Sequence, residues 1–79
     1  MKYFVIADIQ CVELFRAIGV EGFVSSCEAD AKTAVTQALL RNDIGTLLVS
    51  KSVCNAASVE IRAHQATGLF PAIVTLNRS

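Results

Sequence analysis

Seventy-nine residues carry seven basic and seven acidic side chains, a formal net charge of zero, and a hydrophobic share of 53%. No basic run exists to grip nucleic acid or an anionic membrane, and the longest apolar run, about five residues, falls far short of the ~20 that cross a bilayer. A chain of this length builds one small domain that cannot hide so much apolar surface, so part of it is expected to meet a partner or another copy.

The opening Met1-Lys2-Tyr3-Phe4-Val5-Ile6-Ala7-Asp8 meets a charge too early for a secretory leader, which leads to the expectation of a cytoplasmic protein. Within it, Tyr3 to Ala7 reads as a buried strand ending in a loop at Asp8. Cys11, Leu14, Phe15 and Ile18 follow at i, i+3, i+4 and i+7, predicting one buried face of a first helix, with Glu13, Arg16 and Ala17 outward. Gly19 stops that helix. Gly22 to Ser26 reads as a second strand. Glu28 and Asp30 suit the positive start of a second helix, whose stripe is Ala31, Ala34, Val35, Ala38 and Leu39.

Ile44 to Val49 has the continuous apolar character of a central parallel strand covered on both faces. A third helix lies between Ser50 and Thr67. An early start, capped by Ser50, gives the stripe Val53, Ala57 and Ile61; a late one, capped by Asn55, gives Ala56, Val59, Ala63 and Ala66. Gly68 ends it, Pro71 prevents its continuation, and Phe70 to Leu76 forms the fourth strand. The order β-α-β-α-β-α-β implies parallel pairing through right-handed crossovers. The expected architecture is a small flavodoxin-like three-layer α/β sandwich, with a four-stranded parallel sheet in the order 2-1-3-4 flanked by three helices.

Ligands in such folds sit beyond the carboxyl ends of the strands, where this chain offers Asp8, Ser26, Ser50, Lys51 and Asn77. Asp8 stands alone, with none of the adjacent acids of a phosphate-accepting receiver domain, and Ser50 occupies that domain's acceptor position. Both suit helix capping. Ser50-Lys51 lacks the glycines that let backbone amides approach a phosphate. His64, the single histidine, reads as a surface residue beside Arg62 and Gln65. Cys54 lies ten residues before it, nearly three helical turns away and out of reach as a thiolate partner. The three cysteines Cys11, Cys27 and Cys54 form no CxxC pair and read as buried, reduced thiols. The expectation is no catalytic residue, no cofactor and no metal.

Four segments in order carry a family resemblance: Tyr3-Phe4-Val5-Ile6-Ala7-Asp8, Leu14-Phe15-Arg16-Ala17-Ile18-Gly19-Val20, Asn42-Asp43-Ile44-Gly45-Thr46-Leu47-Leu48-Val49 and Phe70-Pro71-Ala72-Ile73-Val74. Together they resemble the F subunits of the V/A-type rotary ATPases and ATP synthases. The resemblance implies a non-catalytic rotor part that binds the coiled-coil D subunit of the central stalk. Such a part helps couple ATP hydrolysis or synthesis to proton or sodium transport. The family also has a C-terminal helix that can reach the catalytic head. Residues 1–79 are expected to form a single α/β domain of this F-type family, lacking that helix. The resemblance implies a place peripheral to the membrane through the complex, without insertion into it. Helix 1 with Glu13 and Arg16, and the third helix with Arg62 and Gln65, are candidate docking faces; the sequence does not choose between them. The other reading open at this point is a homo-oligomeric regulatory or interaction module on the same fold, unrelated to ion transport.

Overall fold

A computed structural model describes residues 2–69 and 71–76. The elements run β1 (Lys2–Ala7), α1 (Ile9–Arg16), β2 (Glu21–Val24), α2 (Glu28–Leu40), β3 (Ile44–Ser50), α3 (Lys51–Ala56), α4 (Ser58–Thr67) and β4 (Ala72–Leu76). The strand pairings are all parallel and the sheet order is β2-β1-β3-β4, as the alternation of elements predicts. Strand bounds differ from the expected ones by one or two residues. The second strand begins at Glu21 and ends at Val24, and the fourth begins at Ala72.

Among the described residues four helices flank the sheet, where the sequence predicts three. The expected third helix breaks at Ala57 (φ −109°, ψ 30°) without a glycine or proline. The Ala57 N–H still donates to the Val53 carbonyl at 2.9 Å, and its carbonyl still accepts from Ile61 N–H at 3.0 Å. Val53, Ala57 and Ile61 are all buried, so α3 and α4 share the early-start stripe across the bend. Val59, from the alternative stripe, is exposed. Ser50 caps α3, accepting from Val53 N–H at 3.4 Å, and Asp8 caps α1, accepting from Cys11 N–H at 3.1 Å. Gly19 (φ 88°) and Gly68 (φ 70°) end their helices in the left-handed region that side chains avoid.

Strand alternation splits the core in two. Ile6, Leu47 and Val49 pack against Ala31, Val35 and Ala38 of α2 and the α3–α4 stripe. Val5, Ala7 and Leu48 face the other way, toward Cys11 and Val12 of α1. The first layer therefore contains α2, α3 and α4, and the second contains α1. Right-handed crossovers require this split, because the chain steps from β1 to β2 in one direction and from β2 through β3 to β4 in the other.

The predicted stripe of α1 needs correction. Cys11 and Val12 are buried and Phe15 half-buried, but Leu14 and Ile18 are 55% and 75% exposed. The helix ends at Arg16, and its eight residues lie over β1 and β2. Val12 faces Gly22 on β2, so Leu14 falls on the opposite flank, where no second helix lies alongside to receive it among the described residues.

At the amino ends of the strands, Lys2 Nζ lies 3.1 Å from Glu21 and 3.2 Å from Asp43. Arg41 donates to both oxygens of Asp43, at 3.0 and 2.7 Å, with its guanidinium 5.1 Å from the Phe4 ring centroid. These exposed pairs tie together the starts of β1, β2 and β3.

Candidate functional site

The carboxyl edge of the sheet is where small-molecule chemistry would assemble. Asp8 is engaged as a cap, and Ser50, only 1% exposed, caps α3 and lies 3.2 Å from the Ser52 hydroxyl. Ser26 donates to Asp30 at 2.9 Å within the start of α2. Lys51 is exposed as the first residue of α3. Asn77 lies outside the described residues. The fold thus brings Asp8 and Ser50 to adjacent strand ends, yet both commit their oxygens to local backbone amides.

Near this edge an open hollow of 440 Å³ separates the start of α2 from α3, lined by Ser25, Ser26, Cys27, Glu28, Ser52 and Asn55 among others. Its polar groups are small and uncharged apart from Glu28, and Glu28 and Asp30 in the first turn of α2 disfavour an anion there. Among the described residues, no group of three or more His, Cys, Asp or Glu could hold a metal.

His64 departs from the expectation of a free surface residue. It is half-buried, and its Nε2–H donates to the Pro71 carbonyl at 2.8 Å, fastening α4 to the approach to β4. Cys54 is half-buried on α3, with the Thr75 hydroxyl 3.6 Å from its sulfur. The two sit on different helices with different partners, so they form no thiolate–imidazole pair. Of the three cysteines expected to be buried only Cys11, in the α1 layer, is; Cys27 is exposed because it precedes the first turn of α2, outside the core.

Apolar exposure marks a second kind of site. Parallel register places Tyr3, Val5 and Ala7 on the α1 side with Thr46, Leu48 and Ser50 of β3 and Ala72, Val74 and Leu76 of β4. Because α1 lies over β1 and β2 and buries Leu48 of β3, the open part of this face is its β4 side, which has no helix above it among the described residues. On this face Tyr3, near the start of β1, is 57% and Val74 on β4 46% exposed, and Leu14 on α1 is also exposed. An uncovered apolar strand in an otherwise helix-covered sheet leaves apolar surface in water. Of the two docking faces suggested by charge, the one at α1 adjoins this opening; Arg62 and Gln65 lie on the opposite layer, exposed to solvent. Tyr3 and Val74 were not suggested by the sequence, although the crossover rule, which puts one helix on this side, carried the signal.

The described residues thus form an α/β domain whose four-stranded parallel sheet lies between a one-helix layer and a three-helix layer. The family model described as ATP synthase (F/14-kDa) subunit matches residues 4–79, and the chain belongs to that family. The fold is that of the crystal structure of the V-type ATP synthase F subunit from Archaeoglobus fulgidus, at a TM-score of 0.85 and 17% identity over 96% of each chain. A search of curated proteins finds no match.

Proposed function

We propose that this chain is a non-catalytic central-stalk subunit of a V/A-type rotary ATPase or ATP synthase. It docks on the coiled-coil D subunit and helps couple ATP turnover to proton or sodium transport. Family membership supports the assignment to the complex. The observation that carries the docking role is the half-open sheet face beside α1, where Tyr3, Leu14 and Val74 offer apolar surface in a place suited to a helix.

A coiled coil presents helices with apolar stripes, and one of them laid beside α1 completes the missing layer. The chemistry stays in the catalytic head, and this domain contributes shape and a rigid sheet. The test is size-exclusion chromatography and titration calorimetry of the chain with its cognate coiled-coil stalk protein. A one-to-one complex at micromolar concentration is expected. Separate elution of the two proteins at tens of micromolar, about tenfold above that range, overturns the reading.

A further inference from the structure

The outer edge of the sheet at β4 borders the open face and shares Val74 with it, but offers main-chain groups where that face offers side chains. β4 pairs with β3 on one side only and forms the edge of the sheet. Alternate N–H and C=O groups along its other side therefore point outward. Among the described residues these make no backbone hydrogen bond to any other element. Such an edge is a template for a further strand, and proteins usually blunt it with charge, proline or a bulge. β4 reads Ala-Ile-Val-Thr-Leu, with no charge, no proline within it and no register shift against β3. The opposite edge is shorter and begins at Glu21, which is held in ion pairs with Lys2 and Arg41.

From this we infer that the β4 edge pairs with the β4 edge of a second copy of this chain, joining two four-stranded sheets into one of eight strands. A two-fold axis perpendicular to the sheet brings the two edges together antiparallel, the closed arrangement of an isologous contact. With the pair centred on Val74, Val74 meets the partner's Val74, Ile73 meets the partner's Thr75 and Ala72 meets the partner's Leu76. Each of these cross-strand pairs is apolar or β-branched, which suits paired strands, and none of them sets like charges against each other. The chain's zero net charge leaves no long-range repulsion between copies.

The surroundings of β4 fit an added strand on both sides. On the α4 side a hollow of 260 Å³ runs beside the strand, lined by His64, Gln65, Gly68, Leu69 and Ile73 among others, and Leu69 is largely exposed. Side chains of the added strand that point this way enter an uncharged apolar recess. On the α1 side Ala72 and Val74 are exposed and continue the surface across the axis. Main-chain bonds supply attachment and the alternating side chains supply register, as in other strand additions.

The experiment is light scattering coupled to size exclusion over a concentration series, on the wild-type chain and on Val74→Lys, Val74→Glu and Leu14→Lys. The wild type is expected to shift from monomer to dimer as its concentration rises through about 100 µM, a range typical of a small contact. Val74→Lys and Val74→Glu each remain monomeric, their equal mixture dimerises, and Leu14→Lys dimerises like the wild type. In parallel, amide exchange of residues 72–76 in the wild type slows with rising concentration, a readout that needs no variant to fold. A wild type monomeric throughout, a dimer indifferent to Val74→Lys, or exchange independent of concentration overturns the inference. Binding of the coiled-coil stalk protein is scored on the wild type and Leu14→Lys only, because Val74 also lines the open face, so either reading can fail without the other.

Discussion

Val12 on α1 rests directly over Gly22 on β2. A Cβ at position 22 would lie 3.0 Å from Val12 Cγ1, 2.5 Å from Val5 Cγ1 and 3.0 Å from the Val5 carbonyl oxygen. Gly22 therefore sets how closely the single helix of its layer approaches the sheet. Replacing it with alanine would push against two buried valines and a backbone oxygen that cannot rotate away. Gly22→Ala is expected to destabilise the domain by about 1–3 kcal/mol, read as a lower urea midpoint with unchanged slope. An unchanged midpoint would show that α1 yields freely.

Ser50 links the end of the central strand to the next helix. Its buried hydroxyl accepts from Val53 N–H, and Ser50→Ala leaves that amide without a partner. A loss of about 0.5–2 kcal/mol is expected. Asp8→Ala, at the exposed cap of α1, should cost about 1 kcal/mol or less on the same ground. Chemical denaturation followed by far-UV circular dichroism ranks the two, and a larger effect at Asp8 contradicts the assignment.

Asp43 is held well below the usual carboxylate range, first by hydrogen bonds from Arg41 and then by those from Lys2. Folding thus favours its charged form. Its contribution is fully present above the unfolded carboxylate value near ~4 and disappears as pH falls through the depressed folded value. Lys2 is raised, chiefly by its bond to Glu21, so its contribution is present below about 10.4 and disappears as pH rises through its folded value. Thermal melts of wild type and Asp43→Asn should differ at pH 7, converge as the pH is lowered from about 4, and differ less in high salt, because these groups are exposed. A difference that persists unchanged down to about pH 2 is the contrary result.

Leu14 flanks the open half of the sheet without contributing to the core. Leu14→Lys is expected to leave the melting temperature within about 2 °C and to weaken binding to the coiled-coil stalk protein about tenfold or more, because a charge enters an apolar contact. Calorimetric titration measures the second effect. Unchanged affinity would place the stalk on another face.

Much of this fold was legible in the residues, for identifiable reasons. The apolar runs Tyr3 to Ala7 and Ile44 to Val49 have no other use than central strands, and the stripe from Ala31 to Ala38 has helical spacing. Gly19 and Gly68 stop helices where their positive φ is observed. The break at Ala57 was not legible: alanine favours helix, no glycine or proline marks the place, and the stripe Val53, Ala57 and Ile61 has the spacing of an unbroken helix. Leu14 and Ile18 misled because helical spacing shows which residues share a face, not whether a neighbour exists to cover it. His64 was read as free because its acceptor, the Pro71 carbonyl, belongs to a loop whose path only the fold determines. The caps at Asp8 and Ser50 were legible because they are local, whereas the face built from Tyr3, Leu14 and Val74 draws on three separate segments.

The unequal layers have a mechanical corollary. Among the described residues, eleven buried ones knit one side of the sheet to α2, α3 and α4, while five join the other side to α1. The thin side should open first in local fluctuations, with α1 amides exchanging before those of α2. A partner seated beside α1 would press on the compliant wall of the molecule and brace it, while the thick wall behind keeps its shape.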